Sequence, residues 1–209
     1  MTSGICSLCN ARYTKAGMTR HLKSCISKNL HKQPEQNTWQ QPFFHVLVTG
    51  HYAPDYWLHL KVNCEANLET LDQFLRDIWL ECCGHLSAFR YKESELGMRR
   101  QLKDILEPSM ELLHEYDFGT TTVLLVKVLG RYEGPIDKNK PIQILSRNEA
   151  PEILCDECGK APAVEVCTAC QWEEGGWLCQ TCAETHKCDE EMYLPVVNSP
   201  RTGVCGYTG

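Results

Sequence analysis

Four Cys-x-x-Cys pairs stand at the two ends of this chain: Cys6/Cys9 near its start, and Cys155/Cys158, Cys167/Cys170 and Cys179/Cys182 near its finish. Between them lie only Cys64, Cys82 and Cys83, apart from single cysteines belonging to the terminal clusters and the tail. No run of about eighteen apolar residues occurs, and Met1 to Cys25 lack the apolar stretch and cleavage signature of a secretory signal. The reducing cytosol is therefore the expected compartment, with a cytoplasmic and not membrane-bound chain, and there clustered cysteines bind metal more readily than they form disulfides.

Cys6-x-x-Cys9 is followed by Tyr13, Met18, His21 and Cys25. Three residues separate His21 from Cys25, which sets both on one face of a helix, while the cysteine pair forms a tight knuckle; together they make a tetrahedral zinc site. The stretch resembles the two-cysteine, two-histidine ββα finger family, with Tyr13 and Met18 at its core positions. It departs in having Cys25 in place of the last histidine. In that family helix residues read bases, which here would be Thr14, Ala16, Gly17 and Arg20; of these, Arg20 is the one suited to guanine. Met1 to Pro34 hold six basic residues, Arg12, Lys15, Arg20, Lys23, Lys28 and Lys32, and no acidic one, although the formal net charge of the chain is −6. Arg12, Lys15, Arg20 and Lys23 are the candidate nucleic-acid contacts. One finger reads about three base pairs, so nucleic acid is a possible partner of residues 1–34 only, through phosphate contact.

Residues 1–30 are thus read as the finger, and the polar, proline-containing 31–42 as a linker. Within 43–147, Phe43 to Thr49 and Tyr56 to Val62 suggest a hairpin, and Leu68, Leu71, Leu75, Ile78 and Trp79 recur at helical intervals. Leu86 to Tyr91, Leu112 to Asp117 and Thr121 to Leu129 read as further strands, and Gly130 to Ala150 as a connection. The expected fold class is α+β: a small mixed or antiparallel sheet with one main helix, a β-grasp-like arrangement being one option, flanked by two zinc-stabilised modules. FFHVLVTG, DYWLHLKV, LETLDQFLRDIWLECCGHLSAF and LLHEYDFGTTTVLLVKVLGRYEG resemble the plasmid pRiA4b ORF-3-like family over Phe43 to Gly134. That family is also labelled a passenger protein of mobile elements; a resolvase role finds no serine nucleophile in an arginine-rich setting here.

Asp117-Phe118-Gly119 matches the magnesium triplet of protein kinases, but no glycine-rich or catalytic loop precedes it, and it reads as a hairpin turn. Cys82, Cys83 and His85 could supply a thiolate and base or an extra metal ligand. Read more plainly, they are a small apolar pair and a capping residue at a helix end.

Residues 148–209 carry the densest pattern. Eight residues separate the second cysteine pair from the third and the third from the fourth, and His186 and Cys188 follow. Eight ligands make two zinc sites. Regular spacing favours an interleaved cross-brace, in which Cys155, Cys158, Cys179 and Cys182 share one ion and Cys167, Cys170, His186 and Cys188 the other; sequential pairing is the alternative. The stretch resembles the B-box-type zinc finger, with a Glu173-Glu174-Gly175-Gly176 insertion, and such modules mostly contact proteins. The tail after Glu190 reads as an extended peptide with Val196, Val197 and Tyr207 able to pack back, and Cys205 as a free thiol. Trp39 and Trp172 read as groups that docking of the modules would explain.

About three structural zinc ions are expected, each with four protein ligands and no open position for a reacting water. The chain therefore reads as a non-enzymatic zinc-binding adaptor with a protein partner and no small-molecule substrate. The alternatives are a DNA- or RNA-binding regulator linked to mobile elements or defence, and an enzyme with a site near Cys83 and His85.

Overall fold

In the strand β3 (Thr38–Gly50), Phe44, Val46 and Val48 point to one side of a sheet and Phe43, His45 and Leu47 to the other, and nearly all are buried. Its hairpin partner β4 (Trp57–Asn63) divides likewise into Leu58, Leu60 and Val62 against Trp57, His59 and Lys61. A strand with a period of two and both sets buried must be covered on both faces. The computed structural model, which describes residues 2–30, 38–172 and 175–209, shows what covers each.

The central sheet has seven strands in the order β6-β5-β7-β8-β3-β4-β9, where β5 is Ser87–Tyr91, β6 Ser94–Leu96, β7 Glu111–Tyr116, β8 Thr122–Asp137 and β9 Ile142–Arg147. Every pair is antiparallel, so the antiparallel alternative is realised in an α+β domain. One face packs on the helix α2 (Leu68–Leu75), which Asn67 caps by accepting from the Thr70 amide at 2.9 Å. Leu68, Leu71 and Leu75 share this core with Trp79, Phe89, Leu124 and Val126. The helical pattern continues past α2 as a π-turn, Arg76–Leu80, and ends where Glu81 becomes extended.

The opposite face is covered by the N-terminal finger, made of β1 (Ser3–Ile5), β2 (Arg12–Thr14) and α1 (Lys15–Asn29). Met18, Leu22 and Ile26 of α1 join Phe43, Trp57, Ile136 and Leu145 in a second core. Backbone and side-chain bonds fasten the finger there. Ser7 N–H donates to Leu145 O, Glu149 N–H to Ser3 O, and Trp57 Nε1 to Thr2 Oγ1, all at 2.7–2.9 Å. Gly4 permits the approach: a Cβ there would sit 2.2 Å from Arg147 O and 2.6 Å from the Trp57 ring.

Several expectations are corrected by this packing. Of the supposed linker 31–42, residues 38–42 are strand, pairing with the far end of β8; residues 31–37 lie outside the described residues. Gly130 to Ala150 is no connection, because β8 runs to Asp137 and β9 adds an edge strand beside β4. Tyr13 is not core: it is exposed and stacks on His21, with ring centroids 4.5 Å apart. Trp39 and Trp172 remain 56 % and 72 % exposed, so docking within the chain does not account for them.

The C-terminal module has a three-stranded sheet ordered β11-β10-β12, with β10 Glu165–Cys167, β11 Trp177–Leu178 and β12 Tyr193–Pro195, and a single-turn helix α3, Gln180–Ala183. Glu173 and Glu174 of the expected insertion lie outside the described residues. The tail beyond β12 folds back through turns onto the central domain instead of extending. Ser199 Oγ donates to Trp79 O at 2.6 Å, Trp79 Nε1 donates to Asn198 O at 3.1 Å, and Tyr207 is buried. Among the described residues, no helix is long and apolar enough to cross a membrane.

Candidate metal centres

A tetrahedral zinc ion bound at about 2.3 Å by sulfur and about 2.0 Å by nitrogen brings its ligand atoms to about 3.5–3.8 Å from each other. The structure groups the sequence-identified ligands into three sets of this size. Cys6, Cys9, His21 and Cys25 form the first; Cys155, Cys158, Cys179 and Cys182 the second; Cys167, Cys170, His186 and Cys188 the third. In each, all four donor atoms lie within 4.8 Å of one another. Cys6 and Cys25 Sγ are 3.9 Å apart, and Cys9 Sγ is 3.2 Å from His21 Nε2. Of the two pairings open to the C-terminal ligands, the interleaved one is present.

Local folding prepares each set. In the first knuckle, Cys6 N–H donates to Ala11 O and Asn10 N–H to Cys6 O, with Asn10 in the left-handed region at φ 60°. Thr14 caps α1, so that His21 and Cys25, one turn apart, face the knuckle. In the second knuckle, Gly159 takes the corresponding left-handed position at φ 62°, with its N–H on Cys155 O.

The mutual electrostatics of the thiols show why a cation belongs there. Burial, with Cys6 and Cys9 beside it, pushes the Cys25 thiol up to about 12. Cys170 is pushed up to about 12 chiefly by its contact with Cys188. Crowded thiolates resist ionising together, and a divalent cation removes that resistance. At Cys155 burial also opposes ionisation, yet the N–H groups of Cys158, Cys179 and Glu157 outweigh it and draw the thiol down to about 6. Backbone amides are thus already aimed at the sulfur.

His186 shows an orienting partner. Its Nδ1 lies 2.9 Å from Glu157 Oε1, while Nε2 faces Cys170 Sγ at 3.5 Å. A carboxylate on Nδ1 fixes the tautomer that leaves Nε2 as the metal donor. Glu157 sits between Cys155 and Cys158, so the knuckle of one interleaved site orients a ligand of the other.

A fourth cluster is one that sequence reasoning missed as a set: Cys82, Cys83, His85 and Cys205. Cys82 is half-buried and Cys83 exposed, so neither is the buried apolar residue expected at a helix end, and Cys205 does not stand alone. The Cys82-Cys83-x-His85 run signals three of the four, but Cys205 is remote in sequence. Asp117-Phe118-Gly119 is indeed a turn, in which Asp117 Oδ1 accepts from the Gly119 and Thr120 amides.

The candidate nucleic-acid residues divide into two groups. Arg12 pairs with Glu149 at 2.7 Å, and Lys15 Nζ donates to Pro54 O at 2.8 Å. Arg20 and Lys23 lie exposed on the outward side of α1. Lys32 lies outside the described residues.

No family model matches the chain, and no curated protein matches it. A solved structure from Methanosarcina mazei Go1, described as a protein of unknown function, aligns with a TM-score of 0.43 and 15 % identity, over 52 % of this chain and 69 % of that one.

Proposed function

We propose that the protein is a non-enzymatic, zinc-scaffolded adaptor whose zinc modules brace a central sheet that presents contact surfaces to a protein partner. The observation that carries this reading is the completeness of each sequence-identified ligand set. Four protein donors per site leave no position for a reacting water, which is the ligand arrangement of structural rather than hydrolytic zinc. Exposed aromatic residues support the contact role. Tyr52, 82 % exposed, and Trp172 line a cleft of about 260 Å³ with Pro200 and Val204, where the central domain meets the C-terminal segment. Aromatic residues are enriched where protein surfaces meet partners. Membership of residues 43–134 in the pRiA4b ORF-3-like family belongs to the same proposal, as does a cytoplasmic location.

A second reading, a nucleic-acid-binding regulator, is favoured by one observation: Arg20 and Lys23 face solvent on a helix whose apolar side is already spent on the sheet. Native mass spectrometry for zinc, with nucleic-acid retention assayed at low and high salt, separates the readings. At least three zinc ions and no retention are the adaptor result. Salt-sensitive retention lost in the Arg20→Glu/Lys23→Glu chain would establish the regulator instead, and fewer than three zinc ions would sink both.

A further inference from the structure

We infer that Cys82, Cys83, His85 and Cys205 form a fourth zinc(II) site, which clips the C-terminal segment to the edge of the central domain. The four donor atoms lie within 4.8 Å of one another, the same closeness found in the other three sets. Cys82 and Cys83 Sγ are 3.6 Å apart and Cys83 and Cys205 Sγ 3.8 Å, against 3.9 Å for Cys158 and Cys179 in a Cys-x-x-Cys site. His85 Nε2 lies 2.9 Å from Cys83 Sγ and 3.2 Å from Cys205 Sγ. The sulfur–sulfur spacings match tetrahedral zinc, the imidazole nitrogen stands closer to the sulfurs much as His21 does to Cys9 at 3.2 Å, and soft thiolates disfavour magnesium or calcium.

Both halves of the site are held in place by the structure around them. Beneath the 82–85 loop, Arg76 bridges Asp72 and Glu81 at 2.9 and 2.7 Å, and its Nη2 donates to His85 O. Glu81 Oε1 in turn accepts from Gly84 N–H at 2.6 Å and from Tyr116 Oη at 3.1 Å. On the tail side, Cys205 itself adopts the left-handed conformation at φ 51°, between Gly203 and Gly206, which do the same. A non-glycine residue in that region is disfavoured and persists only where its surroundings demand it. Here the conformation brings Sγ to the cluster.

Charge supplies a further reason. Three thiolates and zinc leave the site about one negative charge, and Asp117, with Oδ2 3.5 Å from His85 Nε2, adds another. Arg201 answers both. Its side chain is fully buried, Nη2 donating to Asp117 Oδ2 at 2.7 Å and to Cys82 Sγ at 3.5 Å. A buried guanidinium shared between a carboxylate and a cysteine sulfur has the arrangement of an outer partner to a metal thiolate. Cys83 and Cys205 are exposed and none of the four ligands here is buried, whereas each of the other sets has at least one buried cysteine, so this ion exchanges with solvent first.

The test is the zinc count by native mass spectrometry of the full chain, its Cys205→Ser variant and its His85→Ala variant, with tryptic cleavage of the tail as a second readout. Four zinc ions in the parent, three in each variant, and at least tenfold faster cleavage after Arg201 in both variants are expected. Three ions in all of them, or a parent holding three ions and a Cys83–Cys205 disulfide, would overturn the fourth site while leaving the adaptor reading intact. Fewer than three in the parent would be a failure of that reading as well. A variant that loses more than one ion has unfolded; Cys205→Asp, which keeps an anionic ligand on the tail, then decides the matter, four ions supporting the site and three opposing it.

Discussion

The two ends of the molecule use the same ligand chemistry on different foundations. At the N-terminus, Met18, Leu22 and Ile26 share a core with Phe43, Trp57 and Leu145, so in the proposed zinc-bound chain the finger is held by metal and by the sheet together. At the C-terminus the buried apolar cluster is only Leu178, Ala183 and the ligand Cys167, with other ligands packed round it and Ala163 and Val166 buried outside it. In the proposed zinc-bound chain, metal there substitutes for a core. The contrast teaches that a ligand motif specifies a local turn, whereas the stability of that turn depends on what its apolar side meets.

The largest expected effect is at the C-terminal module. Replacing Cys155 and Cys179 by serine removes two ligands of one ion, and structural zinc in small fingers contributes about 10–16 kcal/mol. Loss of the β10–β12 sheet signals in NMR, with β3, β4 and β8 unchanged, is the expected outcome; retained signals would break the comparison. Next comes Trp57→Ala, which empties the contact between finger and sheet. A loss of about 3–5 kcal/mol in denaturant unfolding is expected, together with exposure of α1, because a large buried aromatic is removed. Arg201→Met leaves the Asp117 carboxylate buried without its cation, for a cost of about 3–5 kcal/mol read in the same assay.

A subtler effect lies beneath the finger, where His45 Nε2 and His59 Nδ1 meet at 2.9 Å, both fully buried. Burial, with Lys23 nearby, lowers His45 to about 4, and burial, with His45 beside it, lowers His59 to about 3. Since the folded values lie below the ordinary one near 6.5, the unfolded chain takes up these protons first. Stability contributed by the neutral pair is therefore full above about pH 6.5 and lost as pH falls through about 4 and on towards 3. The His45→Gln/His59→Gln chain should lose less stability than the parent over that interval, a difference in which acid loss of zinc cancels. Smallest of all, Arg20→Glu/Lys23→Glu should leave stability within about 0.5 kcal/mol, as exposed substitutions do; a larger loss would mean that the outward side of α1 is also anchored.

How much of this is legible in the sequence follows from the range of each signal. Zinc ligands must stand on a knuckle or a helical turn, so Cys6, Cys9, His21 and Cys25 announce themselves within one short segment, and regular spacing even favours the interleaved grouping of Cys155 with Cys179. Cys205 carries no such signal, since it meets Cys83 across 122 positions and only the returning tail joins them. The hairpin of β3 and β4, α2, and β7 with β8 are visible as apolar runs. The start of β3 is not, because Thr38 to Pro42 is polar and contains a proline. That proline sits beyond the β4 pairing, where no ladder donor is needed on that side, and its carbonyl accepts from Cys64 N–H at 3.0 Å. Nor is docking of the finger legible, because it depends on the second buried face of a sheet whose strand order the sequence does not encode locally.

The most direct test of the contrast between the ends is amide hydrogen exchange before and after removal of zinc with a chelator. If metal replaces a core only at the C-terminus, amides of residues 155–195 lose protection, those of β3, β4 and β8 keep it, and α1 falls between, slowed by its packing on Trp57 and Leu145. Protection that survives throughout 155–195, or that vanishes from the whole molecule at once, would contradict it.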